Sequence, residues 1–193
     1  MPLGANKVAL YGASADTGSA VLLSTATASS SASIEFTLPT AYKQVVFGIY
    51  NIGTTVDGPD FQITASTNSG SSYGVTKTTT AFRAKHNEAD TSADLSYETG
   101  WDLAQSTSNQ LIVFGLNDDA DATAVGELIL FNPSSTTYVK HFYARTQSYE
   151  YSNYSQDQFV AGYWNTTSAL TNLKFLFSSG NIEHGTIKMW GIK

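Results

Sequence analysis

The chain contains no cysteine. Disulfide staples, zinc–thiolate centres and thiol nucleophiles are therefore excluded, and folding needs no oxidising compartment. Charge is scarce as well. Only 13% of the 193 residues are charged, about half the usual quarter. Ser, Thr, Asn and Gln take the place of the missing charge, so the surface is solvated by neutral polar groups or shared within an assembly. Lysine and arginine total 10, against 16 acidic residues. A duplex or single-strand binder needs a basic stripe to neutralise phosphates, and none is present, so nucleic-acid binding is not expected. Peripheral membrane binding lacks its basic patch for the same reason. The longest apolar stretch near the start, "SAVLLS", is far too short to span a bilayer. The opening "MPLGANKVALYGASADTG" has no h-region of a signal peptide, so export by the standard route is not expected.

No segment sustains a 3.6-residue apolar period. Short β-rich runs recur instead: "AVLLSTAT", "SIEFTL", "KQVVFGIYNI", "DFQITAS", "QLIVFGL", "GELILF", "YVKHFYARTQ", "DQFVAGYW", "LKFLFSS" and "GTIKMWGIK". Ser, Gly, Asn, Asp and Pro clusters separate them, as in a sandwich or barrel. The segment "VTKTTTAF" also reads as a strand. Only "HNEADTSADLSYETGWDLAQ" invites a helix, and its Thr, Ser and Gly limit the expectation to a short turn.

Alternation assigns faces. Ile34, Phe36 and Leu38 share one side of their run, with Glu35 and Thr37 opposite. Leu173, Phe175 and Phe177 are core, with Lys174 and Leu176 outside. The run "YVKHFYAR" is apolar or aromatic on both faces, with Val139, His141 and Tyr143 on one and Lys140, Phe142 and Ala144 on the other. Such a strand suits the middle of a sandwich whose outer face meets another subunit. The fold class predicted is all-β: a single antiparallel β-sandwich over residues 21–193, of jelly-roll type. Residues 1–20 are small and loosely patterned, and are read as an arm that docks on a neighbour. At the C-terminus, Ile187 and Met189 share a face, and a bulge at Gly191 is expected to return Ile192 to the core.

Candidate chemistry is sparse. "GSSYG" matches the nucleophile-elbow pattern around Ser72, but the elbow needs a helix after the serine, and a strand-like run follows. His86, His141 and His184 fall in no ligand-clustering spacing, although His86 and Glu88 share a side if a strand runs there. Asp118, Asp119 and Asp121 form an oxygen-rich loop. The EF-hand spacing fails at Ala122 and Leu128, and a solvated hairpin turn is the simpler reading. No spacing among the acidic residues marks a glycosidase pair, whose defining separation is spatial. No cofactor or metal is predicted.

The densest functional stretch is "SYEYSNYSQDQFVAGYWNTT". It places Tyr149, Tyr151, Tyr154, Phe159, Tyr163 and Trp164 among Ser, Asn and Gln. Tyr with small polar residues is the composition of adaptable recognition loops, so the stretch is read as a Tyr-rich loop, and aromatic faces stack on sugar rings. Aromatics are equally enriched at subunit seams. Tyr149, Tyr151, Tyr154, Tyr163 and Trp164 are the candidate ligand- or partner-binding residues. The acceptors "NYS" and "NTT" carry little weight without a secretory signal.

Taken together, "TATASSSASIEFT", "YKQVVFGIYNIG", "LILFNPSSTTYVKHF", "AGYWNTTSAL" and "SSGNIEHGTIKMWGIK" resemble a family of small β-rich virion or tail-associated proteins of tailed bacteriophages, especially marine ones. The resemblance runs from about Val21 to the end. The family's closing pattern "SGNI…GTI.LYGI" is matched with Met189 and Trp190 in place of Leu and Tyr. It implies a jelly-roll-like fold and supplies no catalytic or binding residues. It implies a virion location after assembly in the host cytoplasm, with other virion proteins as partners. The function expected is a non-enzymatic, exposed structural protein. A tail-fibre or adhesin-type component contacting the host surface, as a homotrimer and with a host-surface glycan as the expected ligand, comes first. A head decoration protein is the alternative, and a glycan-degrading virion enzyme the third.

Overall fold

Residues 19–193 are described by the computed structural model. The alternating runs resolve into β1 (Val21–Thr27), β2 (Ile34–Thr37), β3 (Gln44–Ile52), β4 (Phe61–Ser66), β5 (Lys77–Asn87), β6 (Ala93–Tyr97), β7 (Gln110–Val113), β8 (Ala124–Phe131), β9 (Lys140–Glu150), β10 (Tyr154–Trp164), β11 (Asn172–Phe177) and β12 (Thr186–Ile192). Every ladder between them is antiparallel. They form an eight-stranded sheet, β1-β12-β3-β8-β9-β10-β5-β6, and a four-stranded sheet, β2-β11-β4-β7. The protein is thus an all-β, two-sheet sandwich, as the alternation predicted. The strand order leaves the two sheets unequal and does not by itself establish jelly-roll winding. Of the expected arm at 1–20, residues 1–18 lie outside the described residues.

The core between the sheets is built on phenylalanine. The Phe175 ring meets Phe36 at 6.1 Å, Phe47 at 5.5 Å and Phe61 at 5.9 Å between centroids. Phe61 also tilts onto Phe177 at 5.0 Å. Burying each such side chain contributes about 1.5–3 kcal/mol, so these strands need no staple. Ile34, Phe36 and Leu38 point inward as expected, and so do Leu173, Phe175 and Phe177. On β9, Lys140, Phe142 and Ala144 are buried while His141 and Tyr143 are exposed.

Under β9, β10 and β5 the interior turns polar, and most of its groups are paired, although Gln156 Nε2 and Trp164 Nε1 are buried without a hydrogen-bond partner among the described residues. The Gln158 carboxamide accepts from Phe114 N at 2.7 Å and donates to Ser148 Oγ at 3.0 Å. The Thr79 hydroxyl donates to Gln110 Oε1 at 2.7 Å. Arg83 Nε donates to Glu98 at 2.8 Å, with its guanidinium 4.7 Å from the Trp101 ring centroid. The segment between β6 and β7 lies along β5, with Leu103 O accepting from Thr79 N at 2.8 Å and Ser106 O from Lys77 N at 2.9 Å.

The segment limited to a short turn holds one, where Trp101 N and Asp102 N donate to Glu98 O at 3.0 and 3.3 Å, while the rest of it completes β5 and supplies β6; no helix occurs among the described residues. Two expectations are corrected. The acidic loop is no hairpin turn: β7 belongs to the small sheet and β8 to the large one, so residues 114–123 cross between sheets. Gly191 carries no bulge. The β12–β3 register is unbroken from Thr186↔Tyr50 to Ile192↔Gln44, so Gly191 faces the core and Ile192 turns outward with Trp190. The irregularity lies on β1 instead, between Leu22 and Ser24. β12 itself is internal, flanked by β1 and β3.

Candidate binding face

The outer face of the eight-stranded sheet is set by register. One cross-strand row reads Ile129, Tyr143, Ala161, Thr80 along β8, β9, β10 and β5. The next holds His141, Tyr163 and Thr78. On the other side, Glu127, Arg145, Phe159, Phe82 and Tyr97 share a row. Residues that pair directly across antiparallel strands lie within side-chain contact, so residues far apart in the chain become one surface.

Ala161 is the smallest side chain among these rings. Over it lies a groove of about 360 Å³, lined by Thr78, Thr80, Phe131, His141, Tyr143 and Tyr163. Phe131 tilts onto Tyr143 at 5.9 Å, and His141 onto Tyr163 at 5.9 Å. Beyond it, Phe82 and Phe159 stack at 4.6 Å with an interplanar angle of 6°. Arg145 covers Phe159 at 4.9 Å and grips Asp157 through Nε at 3.1 Å and Nη2 at 2.7 Å. The Asp157 carboxylate raises the Arg145 pKa further. A second groove, of about 400 Å³, opens beside Gly126 and is bordered by Glu127, Arg145 and Asp157.

The five residues singled out in the sequence do not form one loop. They lie along a β-hairpin made by β9 and β10. Tyr163 lines the groove. Tyr154 stands at the opposite end of the same strand, nine residues and about 30 Å away, beneath Lys85 Nζ at 4.9 Å. Tyr149 is half-buried, and its hydroxyl donates to Asn153 Oδ1 at 2.8 Å. Tyr151 is exposed in the hairpin turn and lies over Gly115. Trp164 is fully buried, with its ring 4.3 Å from that of Phe142; it serves the core and no partner reaches it. Three groove residues escaped the sequence reading of this stretch: Phe131, His141 and Tyr143. The signal for the latter two was the both-sided aromatic pattern of β9.

The remaining motifs resolve simply. Ser72 Oγ accepts from Asn68 Nδ2 at 2.8 Å, and the chain beyond it enters a strand. His86 pairs with Asp90 at 3.1 Å in the open, and His184 stands 3.6 Å from Glu183. Asp118, Asp119 and Asp121 are exposed. Among the described residues no group of three or more His, Asp or Glu side chains is placed to hold a metal ion. Burial pushes the carboxyls of Asp60 and Glu150 up, against backbone bonds from Gly115 and Ser152 that pull them down. Neither lines the grooves of the outer face.

No protein-family model matches the chain, and no curated protein matches it.

Proposed function

We propose that this protein is a non-enzymatic structural component of a bacteriophage virion, exposed on the particle, and that it contacts the host surface as a tail-fibre or adhesin-type protein. The observation that carries the reading is the outer face of the large sheet. Phe82, Tyr97 and Tyr143 are each more than two-fifths exposed there, on rigid paired strands. An exposed ring-rich face on a rigid scaffold serves recognition, because aromatic side chains offer contact area at low entropic cost. The phage context rests on the resemblance in the sequence. Low charge and the absence of cysteine suit a protein assembled in a reducing cytoplasm with other virion proteins and working as a closed homo-oligomer, a trimer.

A second reading has its own observation. Leu22, Tyr50 and Trp190 form a separate apolar patch at the β1 end of the sheet, with Leu22 53% exposed and Tyr50 and Trp190 in edge contact at 6.4 Å. A head decoration protein would seat such a patch on a capsid lattice.

Immunogold labelling of intact particles separates the two. Label at the tail end is expected, and label spread over the head would overturn the adhesin reading.

A further inference from the structure

We propose that the groove over Ala161 binds a single uncharged sugar ring. The inference rests on the reading of this face as the host-contacting surface and names what it would recognise there.

Shape comes first. Ala161 and two threonines form a low floor between the larger rings of Phe131, His141, Tyr143 and Tyr163. The volume falls at the lower end of the range of about 300–1,000 Å³ typical of small-ligand sites. A pyranose has an apolar C–H face that packs on an aromatic ring, and hydroxyls around its edge that both donate and accept.

The polar atoms at the groove match that edge. Among the described residues, the hydroxyls of Tyr143 and Tyr163 and both ring nitrogens of His141 have no hydrogen-bond partner, while their rings contact one another or Phe131. The Thr80 hydroxyl reaches only the Ala161 carbonyl, at 3.4 Å. Thr78 Oγ1 accepts from Gln105 N at 3.1 Å and from Gln105 Nε2 at 2.9 Å, which leaves its proton to donate. An apolar protein surface seated here would cover these polar tips without satisfying them, at about 1–3 kcal/mol for each buried unpaired group. A polyol satisfies them.

Charge decides the class of sugar. No Asp, Glu, Lys or Arg lines this groove, whereas Glu127, Arg145 and Asp157 border the neighbouring one. A sialic or uronic acid would bring a carboxylate to a groove with no Lys or Arg to pair with it, and would give up water around its charge without an ion pair in return. A neutral hexose or N-acetylhexosamine has no such cost.

The test is a titration of the isotopically labelled full chain with methyl glucoside, methyl galactoside, methyl mannoside and N-acetylglucosamine, followed by NMR, with glucuronate as the acidic probe. At least one neutral sugar is expected to shift the His141, Tyr143 and Tyr163 resonances saturably in the millimolar range, leaving Tyr138 unmoved. Ala161→Trp fills the floor from an outward-facing strand position and should abolish the shifts. Tyr163→Ala should weaken binding at least tenfold while keeping the amide dispersion of the folded chain. The inference is overturned if no neutral sugar moves these resonances, if glucuronate alone does, or if both variants titrate as the parent does. It also falls if Ala161→Trp changes the sedimentation coefficient, because copies of the chain then meet at the groove. Tail label without sugar binding would sink this inference alone, and head label with sugar binding would sink the adhesin reading alone.

Discussion

Lys77 and Lys140 approach Trp164 from opposite sides as its two cross-strand partners. All three are fully buried. Neither lysine has a carboxylate partner among the described residues. Backbone carbonyls receive the ammonium groups instead, Ser108 for Lys77, and Tyr138 at 2.7 Å and Thr166 at 3.0 Å for Lys140. Burial lowers both pKa values, that of Lys77 to about 8. A lysine usually titrates near 10.4.

This row predicts an alkaline rise in stability. Below pH 8 Lys77 is charged in both states and the cost of burying the charge is fully present. Above its ordinary value it is neutral in both and the cost is gone. Between these limits the unfolded chain binds the extra proton, so stability increases with pH, by at most about 1.4 kcal/mol per pH unit for one group. Urea unfolding between pH 7.5 and 9.5 should show the rise, and Lys77→Met should reduce it to the part that Lys140 contributes. A parent whose midpoint falls across that window would contradict the assignment.

Gly191 should resist substitution. A Cβ there would lie 2.5 Å from Cγ and Cδ1 of Tyr42, and Cγ cannot swing aside as a side-chain tip would. Gly191→Ala is expected to cost about 1–3 kcal/mol through overpacking. Tyr42→Ala in the same chain should make the second change nearly neutral. Additive losses in the denaturant midpoints would show that the two residues do not share this space.

The last four residues should be indispensable. Trp190, Gly191 and Ile192 carry the end of the β12–β3 ladder, and Trp190 and Gly191 also pair with β1. Deleting Trp190–Lys193 strips pairing from both neighbours and opens the core at Met189. Loss of the cooperative thermal transition by circular dichroism is expected. A deletion product that melts cooperatively near the parent's Tm would refute the claim.

Alternation exposed the fold wherever the two faces of a strand differ in polarity. β2 and β11 were legible for this reason. β6 was not: no side chain in it is buried, with Leu95 74% exposed, so pairing with β5 holds it and no hydrophobic period announces it. Gly191 misled because its vacant side-chain volume is filled by Tyr42, a residue outside β12 that no local pattern connects to it. The groove was half legible. Tyr163 stood out, and β9 declared an aromatic outer face. Phe131, His141 and Tyr163 meet only through the registers of three strands, and the crowding of tyrosines between 149 and 164 pointed to a loop where a long hairpin distributes them along its length.

The unequal sheets carry a last consequence. Adjacent strands rotate by about 20° on average, and the large sheet has seven pairings in its order. Rotation accumulates about an axis running across the strands, so at that average the surface normal would turn through a large part of a half-circle from β1 to β6. The Leu22–Trp190 patch and the Ala161 groove belong to one continuous sheet face, and a twist of that average size would turn them in different directions. At that average twist, a molecule seated at the first would come from a different side than a ligand entering the second.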